Sequence, residues 1–255
     1  MTSEDLGVSS ITVEDFIIFF VFRFILYHMS CLNCTVPVKP LPSNVIDNSK
    51  QINQVNNQPN KFITIFDYDD TIFPSTWVSQ IIKMRIPISE EIKSQLDLVD
   101  KNATTLVQEA CKHSIVLIIT NAEEGWVQES SKLFMPRFYS LLDSLTVVSA
   151  RSRYEHLSPS CSTIWKEQAF KDEIEKLSCV NDSLSILSIG DSLHERNAII
   201  SYSKFNSKAL VKSIKMIECP SPSHLATQQK LIFNSVCQMI FSSSKLDLKL
   251  SIQNA

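Results

Sequence analysis

Short apolar runs alternate with longer amphipathic segments from residue 61 onward. The apolar runs predict strands at 61–66, 114–120, 145–150, 184–190 and 209–217. Apolar residues at helical spacing predict helices at 89–111, 126–134, 164–177, 193–202 and 224–241. Strands that are apolar throughout and alternate with helices are typical of a parallel sheet covered on both faces. The pattern therefore predicts an α/β fold, with a three-layer, Rossmann-like parallel sheet.

The first 60 residues follow a different pattern. Residues 16–29 form a compact apolar run of 14 residues, whereas a membrane-spanning helix needs about 20. Arg23 lies near its middle, where a charge costs roughly 2.5–3.5 kcal/mol in a bilayer. Acidic residues precede the run, unlike the basic flank of a signal peptide. Membrane contact through 16–29, an apolar helix packed on the domain and a poorly ordered leader all stay open.

A change in composition marks the boundary of the predicted domain. Residues 43–60 are rich in Asn, Gln and Ser, which is typical of a flexible linker. We therefore predict an N-terminal region at 1–60, a single folded domain at 61–241 and a C-terminal tail at 242–255. The expected location is cytoplasmic, with membrane association through 16–29 as the alternative.

Charge, glycine and cysteine content narrow the classes of function. The net charge of -3 does not favour binding to phosphate backbones, so we expect no nucleic-acid partner. The three glycines, at positions 7, 125 and 190, are too scattered for a dinucleotide-binding fingerprint or a Walker A loop. Seven scattered cysteines do not indicate a disulfide framework. Cys31 and Cys34 form one CxxC without a second ligand pair nearby, so we interpret them as unrelated rather than as a zinc or redox site.

Polar side chains follow the predicted strands at their carboxyl ends. Asp67 and Asp69 follow the first strand, Thr120 and Asn121 close the second, and Asp191 follows the fourth. The carboxyl ends of parallel strands share one edge of the sheet, where ligands bind. Carboxylates that meet there repel each other unless a cation lies between them, and Mg²⁺ prefers oxygen ligands. The sequence thus predicts a Mg²⁺ site beside Thr120 and Asn121, which can bind phosphate oxygens.

Three further polar residues belong to the same predicted site. Lys166 lies near the start of the helix at 164–177 and offers a compact positive charge to a phosphate group. Ser192 and Glu195 follow Asp191 in the run GDSLHE, and they are additional candidates for the metal site.

These segments resemble the four ordered motifs of the haloacid dehalogenase-like superfamily. The matching segments are DYDDT, IIT, the lysine of IWKEQAF and GDSLHE, and the resemblance extends over about residues 61–218. It implies that Asp67 is a nucleophile that forms an aspartyl phosphate and that Asp69 is the general acid and base. It also implies that Asp191, Asp67 and the main-chain carbonyl of Asp69 hold Mg²⁺. Glu195 stands where the family often has Asp, so its role as a metal ligand stays open.

The remaining roles and the reaction class also follow from the resemblance. Thr120 and Asn121 would bind the transferred phosphoryl group, and Lys166 would neutralise its charge. Family dehalogenases lack an acid at the position of Asp69, which indicates a phosphatase instead. The alternatives are a phosphotransferase and a non-catalytic binding or regulatory module on the same fold.

The spacing of the motifs bears on the size of the substrate. The intervals 71–120 and 120–166 leave no room for a full cap domain, so we expect a capless or minimally capped enzyme. In the family an open site suits phosphoproteins, although a phosphorylated small molecule stays open as the substrate. The sequence does not determine the oligomeric state.

Other residues near the predicted site are interpreted as structural. We expect Asp70 to cap a helix or turn, and His194 to lie on the surface. Arg151 and Arg153 are expected to be solvated, with a grip on an anionic substrate as the alternative. The tryptophans are expected to pack in the core or at its rim: Trp77, Trp126 and Trp165.

Overall fold

The computed structural model describes residues 59–179 and 182–251, and within them six strands form one sheet. The strands are β1 (Lys61–Phe66), β2 (Ile115–Thr120), β3 (Thr146–Ser149), β4 (Leu184–Gly190), β5 (Leu210–Lys215) and β6 (Leu246–Lys249). Their order is β3-β2-β1-β4-β5-β6, and every neighbouring pair is parallel. This arrangement confirms the predicted α/β fold with a Rossmann-like parallel sheet.

Helices connect the strands and cover the sheet. They are α1 (Ser75–Lys83), α2 (Glu90–Cys111), α3 (Trp126–Phe134), α4 (Pro136–Tyr139), α5 (Ala150–Tyr154), α6 (Ser162–Leu177), α7 (Leu193–Phe205), α8 (Pro222–Phe233) and α9 (Val236–Phe241). Two short 3₁₀ helices lie at Leu142–Ser144 and Glu155–Leu157. Ser89 caps α2 as its sequence suggests, because its side chain accepts a hydrogen bond from the backbone N–H of Ile92.

Each face of the sheet packs against its own set of helices. Successive side chains of a strand point to opposite faces, so β1 contributes Ile63 and Ile65 to one core and Phe66 to the other. The first core contains α6 and α7, with Trp165 and Phe170 among its largest side chains. The second contains residues of α2, α3, α8 and α9. The domain therefore has three layers, as the sequence predicts.

Besides the unpredicted helices α1 and α5, the connections around the sheet differ from the prediction in three places. The single closing helix predicted at 224–241 is wrong: Ser235 leaves the helical conformation, with φ -127° and ψ -3°, and separates α8 from α9. A new helix, α4, begins at Pro136, where the sequence predicts only the end of a helix. The third difference is β6, which lies inside 242–255, where the sequence predicts no strand.

No separate cap domain is inserted between residues 71 and 166, all of which the structure describes. Helix α2 packs along α8 in the second core, and α3 and α4 also contribute to that core. Residues 16–29, linker residues 43–58 and the CxxC pair lie outside the described residues. In the described part of the chain, no helix combines the length and the apolarity needed to cross a bilayer.

Candidate functional site

Hydrogen bonds between the ends of β1 and β4 bring two acids together at the carboxyl edge of the sheet. The backbone N–H of Asp67 donates to the carbonyl of Ile189 at 2.9 Å, so Asp67 lies beside the end of β4. Asp191 follows β4 immediately, and the two residues are 6% and 9% exposed. The parallel pairing of two central strands therefore places these carboxylates at the predicted edge.

Lys166 contacts one acid that follows β1 and one acid that follows β4. It lies in α6 and is 1% exposed. Its Nζ donates to Oδ1 of Asp67 at 2.5 Å and lies 2.8 Å from Oε1 of Glu195. A lysine that joins two buried carboxylates is far from an ordinary surface residue, because burying a charge costs several kcal/mol unless it is paired.

Glu195 is held against the end of β4 by local structure at the start of α7. Its Oε2 accepts hydrogen bonds from Ser192 Oγ at 2.6 Å and from the backbone N–H of Ser192 at 3.1 Å. In return, Ser192 Oγ accepts from the backbone N–H of His194. This capping box satisfies backbone donors at the helix start. Gly190 makes the arrangement possible, because a Cβ there would lie 2.4 Å from Cγ of Glu195.

Among the described residues, the acids of this cluster outnumber the ammonium group paired with them. One carboxylate oxygen from each of Asp67, Asp191 and Glu195 lies within 4.8 Å of the others, and Lys166 forms ion pairs with two of these acids, Asp67 and Glu195. Burial raises the pKa of Asp67 and of Asp191 above its usual range, and the neighbouring carboxylates add to the effect. Burial also acts on Glu195, but the ion pair with Lys166 outweighs it and lowers the pKa of that carboxyl. An additional cation would allow all three acids to be ionised at the same time, because a nearby positive charge stabilises each carboxylate.

A hard divalent cation fits this cluster chemically. The donors are carboxylate oxygens, which Mg²⁺ prefers, and there is an excess of negative charge for it to neutralise. Burial lowers the pKa of Lys166, but the two paired carboxylates outweigh it and raise that pKa above its usual value. The roles of Glu195 and Ser192, which the sequence left open, differ in the structure. Glu195 forms an ion pair with Lys166, and Ser192 donates hydrogen bonds to Glu195.

Asp69 lies outside the cluster and has its own partners. Thr120 Oγ1 donates to Oδ2 of Asp69 at 3.0 Å, and the indole Nε1 of Trp126 donates to Oδ1 at 2.8 Å. Thr120 Oγ1 also accepts from the backbone N–H of Ala122 at 2.9 Å. Trp126 packs in the core as predicted and is 8% exposed, but sequence analysis missed its contact with Asp69. No local pattern reveals this contact, because it joins residues 57 positions apart.

Asn121 lies at the rim between β2 and the start of α6. Its Nδ2 donates to the carbonyl of Ser162 at 3.4 Å, while its buried Oδ1 has no hydrogen-bond partner among the described residues. His194 is half-buried beside it rather than on the surface, because it bridges two helix starts. The distance from His194 Nδ1 to Thr163 Oγ1 is 2.8 Å, and the distance from Nε2 to Ser162 Oγ is 3.4 Å. Burial lowers the pKa of His194.

Lys215 also supports the edge, and sequence analysis missed it. Its Nζ donates to the backbone carbonyl of Asp191 at 2.7 Å and to Glu218 Oε1 at 2.7 Å. Asp70 acts as the predicted cap, since its Oδ1 accepts from the backbone N–H of Thr76 in the first turn of α1. Lys215 therefore holds the loop after β4, and Asp70 holds the loop after β1.

The two arginines after β3 are paired with acids of the chain. Arg151 contacts Glu123 and Glu155, and Arg153 donates to Glu173 at 2.6 Å. Both guanidinium groups therefore have carboxylate partners, whereas the sequence predicts solvated side chains.

No protein-family model matches the chain, and no curated protein matches it.

Proposed function

We propose that the chain is a Mg²⁺-dependent phosphatase of the haloacid dehalogenase-like type, with Asp67 as the nucleophile. The observation that carries the proposal is the buried contact of Lys166 with Asp67 and Glu195, beside Asp191, at the carboxyl edge of a parallel sheet. An ordinary structural ion pair does not require a third buried acid, Asp191, beside the two that contact the lysine. Active sites, in contrast, concentrate buried charges with perturbed pKa values.

Asp67 would attack the phosphorus atom of a phosphomonoester. Lys166 occupies Oδ1 of Asp67, which leaves Oδ2 as the oxygen that forms the new bond to phosphorus. As this bond forms, the bond between phosphorus and the leaving oxygen breaks, which gives an aspartyl phosphate. Lys166 stays charged and neutralises part of the negative charge that accumulates on the attacking carboxyl and on the phosphoryl oxygens.

Asp69 would transfer the protons of both half-reactions. In its acid form it gives a proton to the leaving oxygen, and in its base form it takes one from the water that hydrolyses the aspartyl phosphate. Thr120 and Trp126 orient this carboxyl through both oxygens. A protonated carboxyl keeps acceptor capacity as well as its O–H donor, so both hydrogen bonds are compatible with the acid form.

The metal and the phosphoryl group would occupy neighbouring parts of the edge. Asp67 and Asp191 are the residues that would hold Mg²⁺, with the main-chain carbonyl of Asp69 implied by the resemblance. When bound, Mg²⁺ supplies positive charge for the phosphoryl oxygens and the nucleophile. Asn121 and Thr120 line the neighbouring rim, and they are the residues that would orient the phosphoryl group.

The direct test is hydrolysis of an aryl phosphate by the full chain, with Mg²⁺ and with EDTA. We expect metal-dependent turnover that falls by at least about 10³-fold in Asp67→Asn, because an amide cannot replace the nucleophilic carboxylate. Asp97→Asn is the matched control. Asp97 lies on α2, is exposed and pairs with Arg137, so this variant should keep full activity. Turnover that survives in Asp67→Asn contradicts the proposal, as does a folded, Mg²⁺-binding wild type without turnover on a broad panel of phosphate esters.

A further inference from the structure

The sheet ends at β6, whose outer edge pairs with no other strand among the described residues. An unpaired edge offers a row of backbone N–H and C=O groups to another strand. β6 lies two strands away from β4, so this edge is separate from the candidate site at β1 and β4. Its exposed side chains include Leu248, which is 46% exposed.

The backbone groups that point outward from β6 can be assigned from its pairing with β5. The N–H of Leu250 donates to the carbonyl of Lys215 at 2.8 Å, so the backbone of Leu250 faces β5. Backbone groups of alternate residues point to the same side of a strand, so Leu246 and Leu248 also face β5. The N–H and C=O groups of Asp247 and Lys249 therefore point to the open edge.

The side chains of this edge are self-complementary around Leu248. When two copies of the segment 246–250 run antiparallel with Leu248 opposite Leu248, Asp247 of each lies opposite Lys249 of the other. Leu246 then lies opposite Leu250. Opposite charges across an antiparallel pair stabilise it, whereas like charges oppose it.

The backbone geometry selects the same register. In an antiparallel pair, directly opposite residues alternate between those that exchange two hydrogen bonds and those that exchange none. With the two-fold axis at Leu248, the pairs that exchange hydrogen bonds are Asp247 with Lys249 and Lys249 with Asp247. These are the residues whose backbone groups point outward. Charge pattern and backbone direction are independent observations, and they give one register.

We propose that β6 pairs with β6 of a second copy of this chain, which joins two sheets into one continuous sheet across a two-fold axis. A two-fold interface requires a surface that is complementary to itself, and this edge meets the requirement. Charges on an edge strand often prevent such pairing, but here each charge meets the opposite sign. Arg196, which binds Asp247 through Nε at 2.9 Å and Nη2 at 2.6 Å, lies beside each Asp247–Lys249 pair.

The small size of the edge implies a dimer that forms at high protein concentration. Five residues on each side bury less surface than a standard stable interface. Sedimentation velocity of the full chain over a concentration series should therefore show a reversible monomer–dimer equilibrium. A chain that stays monomeric at the highest soluble concentration contradicts the proposal.

Charge reversal tests the register. Asp247→Lys presents two lysines to two lysines across the axis, and Lys249→Asp presents two acids to two acids. Each variant should raise the dimer dissociation constant by at least about tenfold, because two attractive cross-strand pairs become repulsive. Mixing the two variants should restore dimers, since every pair in the mixed dimer is again of opposite sign.

Two controls test whether the dimer contact lies at β6 and whether the charge reversals act through it. Arg196→Gln removes the ion pair of Asp247 within the chain and should leave the dimer intact, which shows that losing this pair alone does not explain Asp247→Lys. In hydrogen exchange, the amides of Asp247 and Lys249 should become protected as concentration rises, while those of Leu248 and Leu250 are protected throughout. Dimers that persist in both charge variants, or a mixture that stays monomeric, place the contact elsewhere and overturn the proposal.

Discussion

Two buried lysines of this domain have opposite electrostatic surroundings. Lys166 and Lys212 are 1% and 0% exposed, and each makes two close contacts through Nζ. Lys166 contacts the carboxylates of Asp67 and Glu195. Lys212 donates to neutral groups, the Ser185 hydroxyl at 2.8 Å and the carbonyl of Ile240 at 2.6 Å.

The pKa values of the two lysines move in opposite directions. Burial lowers the pKa of Lys212 to about 8, since no carboxylate of the described residues offsets the loss of water. For Lys166 the paired carboxylates outweigh burial and raise the pKa above its usual value. Lys212 is a strand residue that reaches the carboxyl end of α9, where carbonyl groups and the helix dipole accept a cation. Burial alone therefore does not determine the direction in which the pKa of a lysine moves, because carboxylate partners reverse the effect of lost water.

The largest expected effect is that of Lys166→Met. Without Lys166, the carboxylates of Asp67 and Glu195 stay buried with no positive partner, which should lower the free energy of unfolding by about 3–5 kcal/mol. Under the proposed function, phosphatase activity should also disappear. Denaturant unfolding without metal measures the first effect, and aryl phosphate hydrolysis measures the second. An unfolding free energy equal to that of the wild type contradicts the assigned ion pairs.

The next effect is that of Gly190→Ala, which tests the contact that keeps Glu195 beside Lys166. The added Cβ would lie 2.4 Å from Cγ of Glu195, so we expect a loss of about 1–3 kcal/mol in the free energy of unfolding. A double-mutant cycle with Glu195→Ala identifies the cause. If the steric contact is responsible, Gly190→Ala costs much less in the Glu195→Ala background. Equal costs in both backgrounds would show that the strain arises elsewhere.

The lowered pKa of Lys212 should make the stability of the protein depend on pH. The pKa of Lys212 is about 8 in the folded protein, whereas its ordinary value is 10.5. Between these two pH values, Lys212 is therefore protonated more in the unfolded chain than in the folded protein. The contribution of Lys212 to stability therefore rises with pH through this window, by on the order of 2 kcal/mol, and is constant below it. Lys212→Met should remove this rise and should be as stable as the wild type, or more stable, at pH 7. Urea unfolding of both proteins at pH 7 and pH 10 measures the difference.

The smallest expected effect is that of Ser185→Ala, which removes one neutral acceptor of Lys212. At pH 7 we expect a loss of about 1–2 kcal/mol in the free energy of unfolding, because the hydrogen bond involves a charged donor. The loss should shrink at pH 10, where Lys212 is deprotonated in the folded state. A loss that is the same at both pH values would mean that Lys212 is already neutral at pH 7.

The sequence predicted five of the six described strands and placed the acids of the candidate site at their ends, because both depend on local patterns. The strands β1, β2 and β4 are buried almost throughout, so each appears in the sequence as a short, nearly continuous apolar run. Parallel strands align their carboxyl ends, which is why Asp67 and Asp191 could be placed at one edge before their partners were known. Lys166 was found from its position in a motif, and Lys212 was not, because a lysine inside an apolar strand gives no local signal of what it contacts.

The tertiary structure decided the contacts between residues that are far apart in sequence. Asp69 and Trp126 meet because α3 packs over the end of β1, and Lys166 reaches Glu195 because α6 and α7 cover the same face. The break between α8 and α9 and the pairing of the short β6 also lie outside what periodicity can specify. By itself, then, the sequence determined the order of β1 to β5 and which acids lie at their carboxyl ends. Packing determined which atoms meet there, because side-chain partners depend on how helices are positioned over the sheet.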